Sequence, residues 1–313
     1  MSRPAGAAPG ALERPPRIDL LLIGLAVAAV STSAPIIAAC HAPKLAIAMW
    51  RNAFATGLLA PIALARPTPR REVASLRSRG QQRWAVPAGL LLAAHFGTWI
   101  PSVGLTSVAS ATAMVSTQPA WAALLARRDG VQLPRRAWTG IGVSIAGVIV
   151  ITGVDVSISA RALAGDLLAL VGAAFAAAYM SAGGRARQVI STTSYTVVCY
   201  ALCAALLVLV CLIGGVGLGG YRAHDWWLIA ALTAGPQLLG HSVFNRVLRT
   251  TSATVVSLSI LLEVPGAVLV AWIWLGQTPR ALAYPGLVVL IAGIALVVRA
   301  GTQPAAQLVD PPD

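Results

Sequence analysis

Leu20–Ala39 reads LLLIGLAVAAVSTSAPIIAA, a run of about twenty residues without a charge, the length of helix that spans the hydrocarbon core of a bilayer. The rest of the chain has the same character. Apolar residues make up 57% of it and charged residues 11%, with a mean hydropathy of +0.77, outside the range in which a soluble domain keeps a charged surface. Working outward from Leu20–Ala39, ten apolar helical spans are predicted, at 18–39, 45–65, 85–103, 106–126, 137–153, 166–182, 195–217, 226–245, 252–275 and 281–298. Residues 1–17 and 300–313 are rich in Pro, Ala and polar groups and read as disordered arms. The expected fold class is an all-α integral membrane protein with the lipid bilayer as its solvent.

The net charge of +13 raises nucleic acid as a partner, since a basic footprint is what a polyphosphate requires. The distribution argues against it, because the basic residues sit in short loops with no interleaved aromatic platform. They report orientation instead. With a cytoplasmic N terminus, 18 of the 23 Lys and Arg residues fall inside, in groups such as Arg66, Arg70, Arg71 and Arg127, Arg128, Arg135. Only Lys44, Arg161, Arg222 and Arg280 fall outside, and Arg51 is left within a span. Both termini are therefore expected in the cytoplasm. The excess of Arg over Lys, with the abundance of Ala, has the look of a GC-rich bacterial genome, which points to a bacterial inner membrane.

Cys40, Cys199, Cys203 and Cys211 lack CxxC spacing and read as small packing residues, without a disulfide framework or metal site. Ile37-Ala38-Ala39-Cys40 resembles a lipoprotein cleavage box, but the apolar run before it is too long for a signal-peptide core and further spans follow.

The chain repeats itself. Thr106-Ser107 stands 26 residues before Gln132-Leu133-Pro134-Arg135, and Thr251-Ser252 stands 26 residues before Gln277-Thr278-Pro279-Arg280. Ala146-Gly147-Val148 answers Ala292-Gly293-Ile294, and Asp19-Leu20-Leu21 answers Asp166-Leu167-Leu168. Two units follow, 18–153 and 163–299. Five spans per unit is odd, so the second enters the membrane from the opposite face. Such inverted repeats let two halves open a central cavity to either side in turn, a property of use to a carrier and of none evident to an enzyme.

The residues also resemble the EamA-type carriers of the drug/metabolite transporter superfamily. The resemblance lies in Ala42-Pro43 to Trp50-Arg51, in His95-Phe96 to Trp99-Ile100 with Gln118-Pro119, and in Gly240-His241 to Asn245 followed by Leu262-Glu263. It covers 18–300 and implies a ten-helix fold of two inverted repeats, cytoplasmic termini, and export or facilitated transport of amino acids or related metabolites. Gln132 and Gln277 stand where the family often has Glu. Val264 separates Glu263 from Pro265, and Arg246 follows Asn245 where a Trp is common.

Within the spans, ionisable side chains are costly and mark functional or paired groups. Glu263 lies about 18 Å into the ninth span, near the midplane, and Arg51 about 10 Å into the second. The two either serve a substrate and coupling proton or neutralise each other as a structural pair. Gln237, His241 and Asn245 fall at i, i+4 and i+8, one face of the eighth span, and His95 and Trp99 at i, i+4 on the third. Ser252, Ser259 and Glu263 form a third stripe. Each stripe lines a cavity or packs against neighbouring helices. Pro119 and Pro265 are expected to free the carbonyls of Val115 and Leu261 at mid-membrane. Together Arg51, His95, Trp99, Gln118, Gln237, His241, Asn245, Ser259 and Glu263 are the candidate solute pathway.

Signatures for metal hydrolysis, acyl transfer and ATP binding are absent, and no catalytic residue, cofactor or metal is expected. The reading is a secondary or passive carrier of a small-molecule substrate. Its alternatives are a carrier of anionic solutes such as sugar phosphates or lipid-linked sugars, which would lean on Arg51, and a non-transporting scaffold or lipid-modifying enzyme. The sequence fixes no oligomeric state.

Overall fold

The computed structural model describes residues 15–74, 83–106, 108–152, 159–276, 278, 281 and 283–300. Most of both expected arms, together with Ser107, Gln277 and Arg280, lies outside the described residues. Helices occupy the first half as α1 (Arg17–Val30), α2 (Ser33–Ala39), α3 (Lys44–Ala65), α4 (Pro67–Ala74), α5 (Ala85–Ser102), α6 (Val108–Val115), α7 (Gln118–Arg128) and α8 (Arg135–Thr152). The second half holds α9 (Ala160–Ala186), α10 (Thr192–Ile213) and α11 (Ala223–Leu232), which runs through a π-helical segment (Thr233–His241) into α12 (Ser242–Val247). It ends with α13 (Ala253–Ile260), α14 (Glu263–Leu275) and α15 (Ala283–Ala300). No strand occurs among the described residues.

Five stretches are long and apolar enough to cross a membrane by length and composition: Arg17–Ala39, Lys44–Ala65, Ala160–Ala186, Thr192–Ile213 and Ala253–Leu275. The other five expected spans are helical but shorter, interrupted or less apolar. Leu21, Leu58, Leu212, Ile213 and Ile273 are more than half exposed, the outward apolar surface that lipid requires.

Several expected single spans are broken, each for a local reason. Between α1 and α2 the Ser31 hydroxyl donates to the Val27 carbonyl at 2.8 Å and Thr32 donates to Ala29 at 2.8 Å, bonds that compete with the helix ladder and bend it. Pro119 and Pro265 have no N–H to give, and the breaks at Ser116–Thr117 and Leu261–Leu262 lie just before them. The sixth span begins earlier than expected, at Ala160, because the Ser159 hydroxyl caps it by accepting from the Ala162 N–H at 3.1 Å.

Packing follows the repeat. Exchanging the halves maps the α3–α10 contact and the α8–α15 contact each onto itself, and maps the packing of α5 on α9 onto that of the eighth-span helix on α1. This is the pattern of a pseudo-two-fold axis relating two helical repeats. The α8–α15 seam is closed by small residues. A Cβ on Gly147 would lie 2.4 Å from the Leu290 nitrogen, and one on Gly293 2.4 Å from Ser144, so the backbones touch as only glycine allows. The four cysteines are unpaired and buried.

Candidate functional site

A cavity lies between the halves, lined by the first, third and fourth spans and by their counterparts, the sixth, eighth and ninth. The α3–α10 and α8–α15 pairs flank it without reaching it. Its volume is about 40 Å³, counted as space open to the centres of water molecules, enough for a few waters.

Six of the residues singled out in the sequence line it: His95, Trp99, Gln118, Pro119, His241 and Glu263. Glu263 opens α14 just after the break. Its carboxylate thus sits at a helix N-terminus inside a span, where the dipole favours negative charge. Glu263 is the one carboxylate of the described lining, which holds two histidines, His95 and His241, and no Lys or Arg; the rest is polar, aromatic or aliphatic. His95 Nδ1 is 2.9 Å from the Gly172 carbonyl; a carbonyl only accepts, so Nδ1 carries the proton there and Nε2 of the neutral ring is an acceptor. The Trp99 indole stacks on that imidazole, with centroids 5.9 Å apart and planes 7° from parallel. Among the described residues Trp99 Nε1 and His241 Nδ1 are buried without a hydrogen-bond partner, so a donor and a second imidazole nitrogen are available to a solute.

The remaining candidates are placed elsewhere. Arg51 is fully buried, but its guanidinium lies 4.5 Å over the Phe96 ring, and the edge of that ring meets His241 at 5.3 Å. Phe96 thus touches both Arg51 and His241, and Arg51 itself does not line the cavity. Of the two alternatives for Arg51 and Glu263, the structural ion pair is absent among the described residues, where the Arg51 nitrogens have no hydrogen-bond partner; the cation rests on an aromatic face instead. The three-residue stripe of the eighth span also needs correction. Pro236 lies in the π-helical segment, whose wider turn destroys the i, i+4 alignment. Gln237 is turned away to donate to Asn52 Oδ1 at 2.9 Å, His241 meets the cavity, and Asn245 Oδ1 accepts from the Tyr179 hydroxyl at 2.7 Å.

Ser259 donates to the Val255 carbonyl at 2.9 Å and does not line the cavity. The Leu261 carbonyl is not freed by Pro265, since it accepts from the Val264 N–H at 3.2 Å; Val115 does lie in the cavity wall. Ser252 caps α13, accepting from the Val255 N–H at 3.3 Å.

Sequence reading missed Tyr179, Thr112 and Ser257, all in the lining. Ser257 accepts from Gln118 Nε2 at 3.2 Å, joining the fourth and ninth spans across the pseudo-two-fold. It also missed that His95 and His241 are repeat counterparts. Their separation along the chain equals that of Pro119 from Pro265 and of Gly147 from Gly293, so the repeat alone held that signal.

The model of the EamA-like transporter family matches residues 17–153 and 163–299. A solved structure, titled only as the crystal structure of a protein, superposes with a TM-score of 0.73 at 17% sequence identity, covering 91% of this chain and 97% of its own. That likeness is one of fold. No curated protein matches the chain.

Proposed function

We propose that this chain, which belongs to the EamA-like transporter family and is a multi-pass membrane transporter, carries amino acids or related small amine-bearing metabolites out of a bacterial cell by alternating access. The observation that supports this most is the charge of the cavity. Glu263 presents a carboxylate at a helix N-terminus and no Lys or Arg shares the described lining, an arrangement suited to an ammonium group or to a proton taken in its place. The Trp99 N–H and the Gln118 amide can meet the polar remainder of the solute. A carrier of anions would need Arg51, which rests on the Phe96 ring and does not line the cavity. Each repeat contributes three spans to the wall, so a rocking of one half against the other would open the cavity to one face and then the other.

Ten crossings with both termini cytoplasmic complete the reading. Proteoliposomes loaded with labelled amino acids, and in parallel with sugar phosphates, test it by counterflow. Exchange of the amino acids is expected, and exchange confined to the phosphates would overturn it. For topology, cysteine at Gly219 in a cysteine-free background should react with an impermeant thiol reagent from outside. Gly219 is open on all sides, whereas Gly220 has φ +78° and would be strained by any side chain.

A further inference from the structure

Because the halves are inverted, every contact that ties them together on one face has a counterpart position on the other. Around α3 and α10 both faces are tied. Where α1 begins, the Glu72 carboxylate accepts from the Ser191 N–H at 3.1 Å and from the Ser194 hydroxyl at 2.5 Å, and the Arg185 guanidinium lies 4.6 Å over Trp84. On the opposite face Trp50 Nε1 donates to the Leu218 carbonyl at 2.9 Å, and the His41 N–H donates to Asp225 Oδ1 at 2.9 Å. These peripheral ties are present on both sides and favour neither.

The mismatch lies at the mouths of α1 and α9. Asp19 is buried, and its Oδ2 accepts from the hydroxyls of Thr250 at 2.5 Å and Thr251 at 3.1 Å, in the turn that joins α12 to α13. The repeat places Asp166 at the matching point of α9 and Thr106 in the matching turn. That turn is close, since a Cβ on Gly165 would lie 2.9 Å from Thr106. Asp166 is half-buried, and among the described residues its buried Oδ1 nevertheless has no hydrogen-bond partner. Among the described residues one carboxylate grips its turn while its counterpart, on a helix whose neighbouring Gly165 packs against the matching turn, does not.

We propose that Asp19 and Asp166 are the alternating latches of the carrier, each closing its own face when bonded to its threonine turn. In this conformation the Asp19 face is latched and the Asp166 face is released. Charge-assisted hydrogen bonds are strong and a buried carboxylate left without them is costly. Exchanging one latch for the other conserves the number of satisfied carboxylates. Neither state is then favoured by much, as a carrier that must visit both requires. Beside Asp19 as a mere end-of-helix acid, this accounts for why its repeat counterpart is unbonded.

The proposal rests on the alternating-access reading, and its test uses no solute. A single cysteine replaces Ser116, in the cavity wall, in a background without the four native cysteines, and its rate of reaction with an impermeant thiol reagent is measured from each face. Asp19→Asn should raise the ratio of labelling from its own face to labelling from the other by about tenfold, the shift that goes with about 1.4 kcal/mol. Asp166→Asn should move the same ratio in the opposite direction. If Asp19→Asn fails to insert, Thr250→Val with Thr251→Val removes the same bonds and should act alike. Ratios that stay constant, or that move the same way for both aspartates, overturn the latches. Opposite shifts without amino-acid exchange would overturn the proposed solute and leave the latches standing.

Discussion

Glu263→Gln separates a solute-binding carboxylate from a structural one. The change keeps shape and hydrogen-bonding capacity and removes the charge. If Glu263 were half of a buried pair, the single change would strand a guanidinium at a cost of about 3 to 5 kcal/mol, and expression would fall with activity. The structure argues otherwise, because Arg51 lies on Phe96 and makes no hydrogen bond to Glu263. The melting temperature of the purified variant should therefore stay close to that of the parent. A hydrogen bond between charged groups contributes about 1.5 to 3 kcal/mol, so losing it should weaken solute binding or exchange by about 10- to 150-fold. Counterflow in proteoliposomes and a thermal melt read the two effects separately. A well-folded Glu263→Gln protein with unchanged exchange would remove Glu263 from the mechanism. Loss of expression that Arg51→Gln restores would show instead that the two residues are a pair.

Phe96→Ala removes the ring that holds the Arg51 guanidinium and touches His241; anionic solutes should then compete for exchange at concentrations about tenfold lower than in the parent, as binding gained from a cation freed of that ring implies. Gly147→Ala drives a Cβ to 2.4 Å from Leu290 and should destabilise the detergent-solubilised protein by at least about 2 kcal/mol, whereas Gly142→Ala, with nothing within 4 Å, should be neutral or stabilising in the same melt. Asp225 stands before the eighth span, and the His41 backbone N–H holds its carboxyl below the usual carboxylate range. Its contribution is thus complete above a pH of about 4 and is lost as the pH falls through the depressed value. Asp225→Asn should accordingly lower the melting temperature at pH 7, with the difference shrinking in more acidic buffer.

The fold was legible because two signals in the sequence are long-range averages that local detail does not spoil. Hydropathy over some twenty residues marks a helix whatever its kinks, so Leu20–Ala39 reads as one span although Ser31 and Thr32 break it into α1 and α2. The repeat of Ala146-Gly147-Val148 as Ala292-Gly293-Ile294 marked two equivalent units; that these very segments of α8 and α15 meet is added by the structure. Helix ends were less legible. Ser159 has its effect only through the direction of its hydroxyl, which hydropathy does not encode.

The site was legible where polarity and a proline coincide. Pro119 beside Gln118 and Pro265 near Glu263 break their helices at the cavity, and a break turns local sequence into a wall of polar groups. It was misread where the helical period itself changes. Gln237, His241 and Asn245 share a face only if 3.6 residues make each turn, and Pro236 together with the π-helical segment removes that premise. Only His241 keeps its place in the wall, and Gln237 is spent on Asn52. Arg51 was misplaced for a different reason: depth within a span was computable from the sequence, but whether an aromatic ring meets its guanidinium was not. A buried arginine draws attention as an anion site, yet Arg51 lies over a phenyl face that already compensates its charge and does not line the cavity, so the lining's carboxylate at Glu263 is not matched there by an arginine.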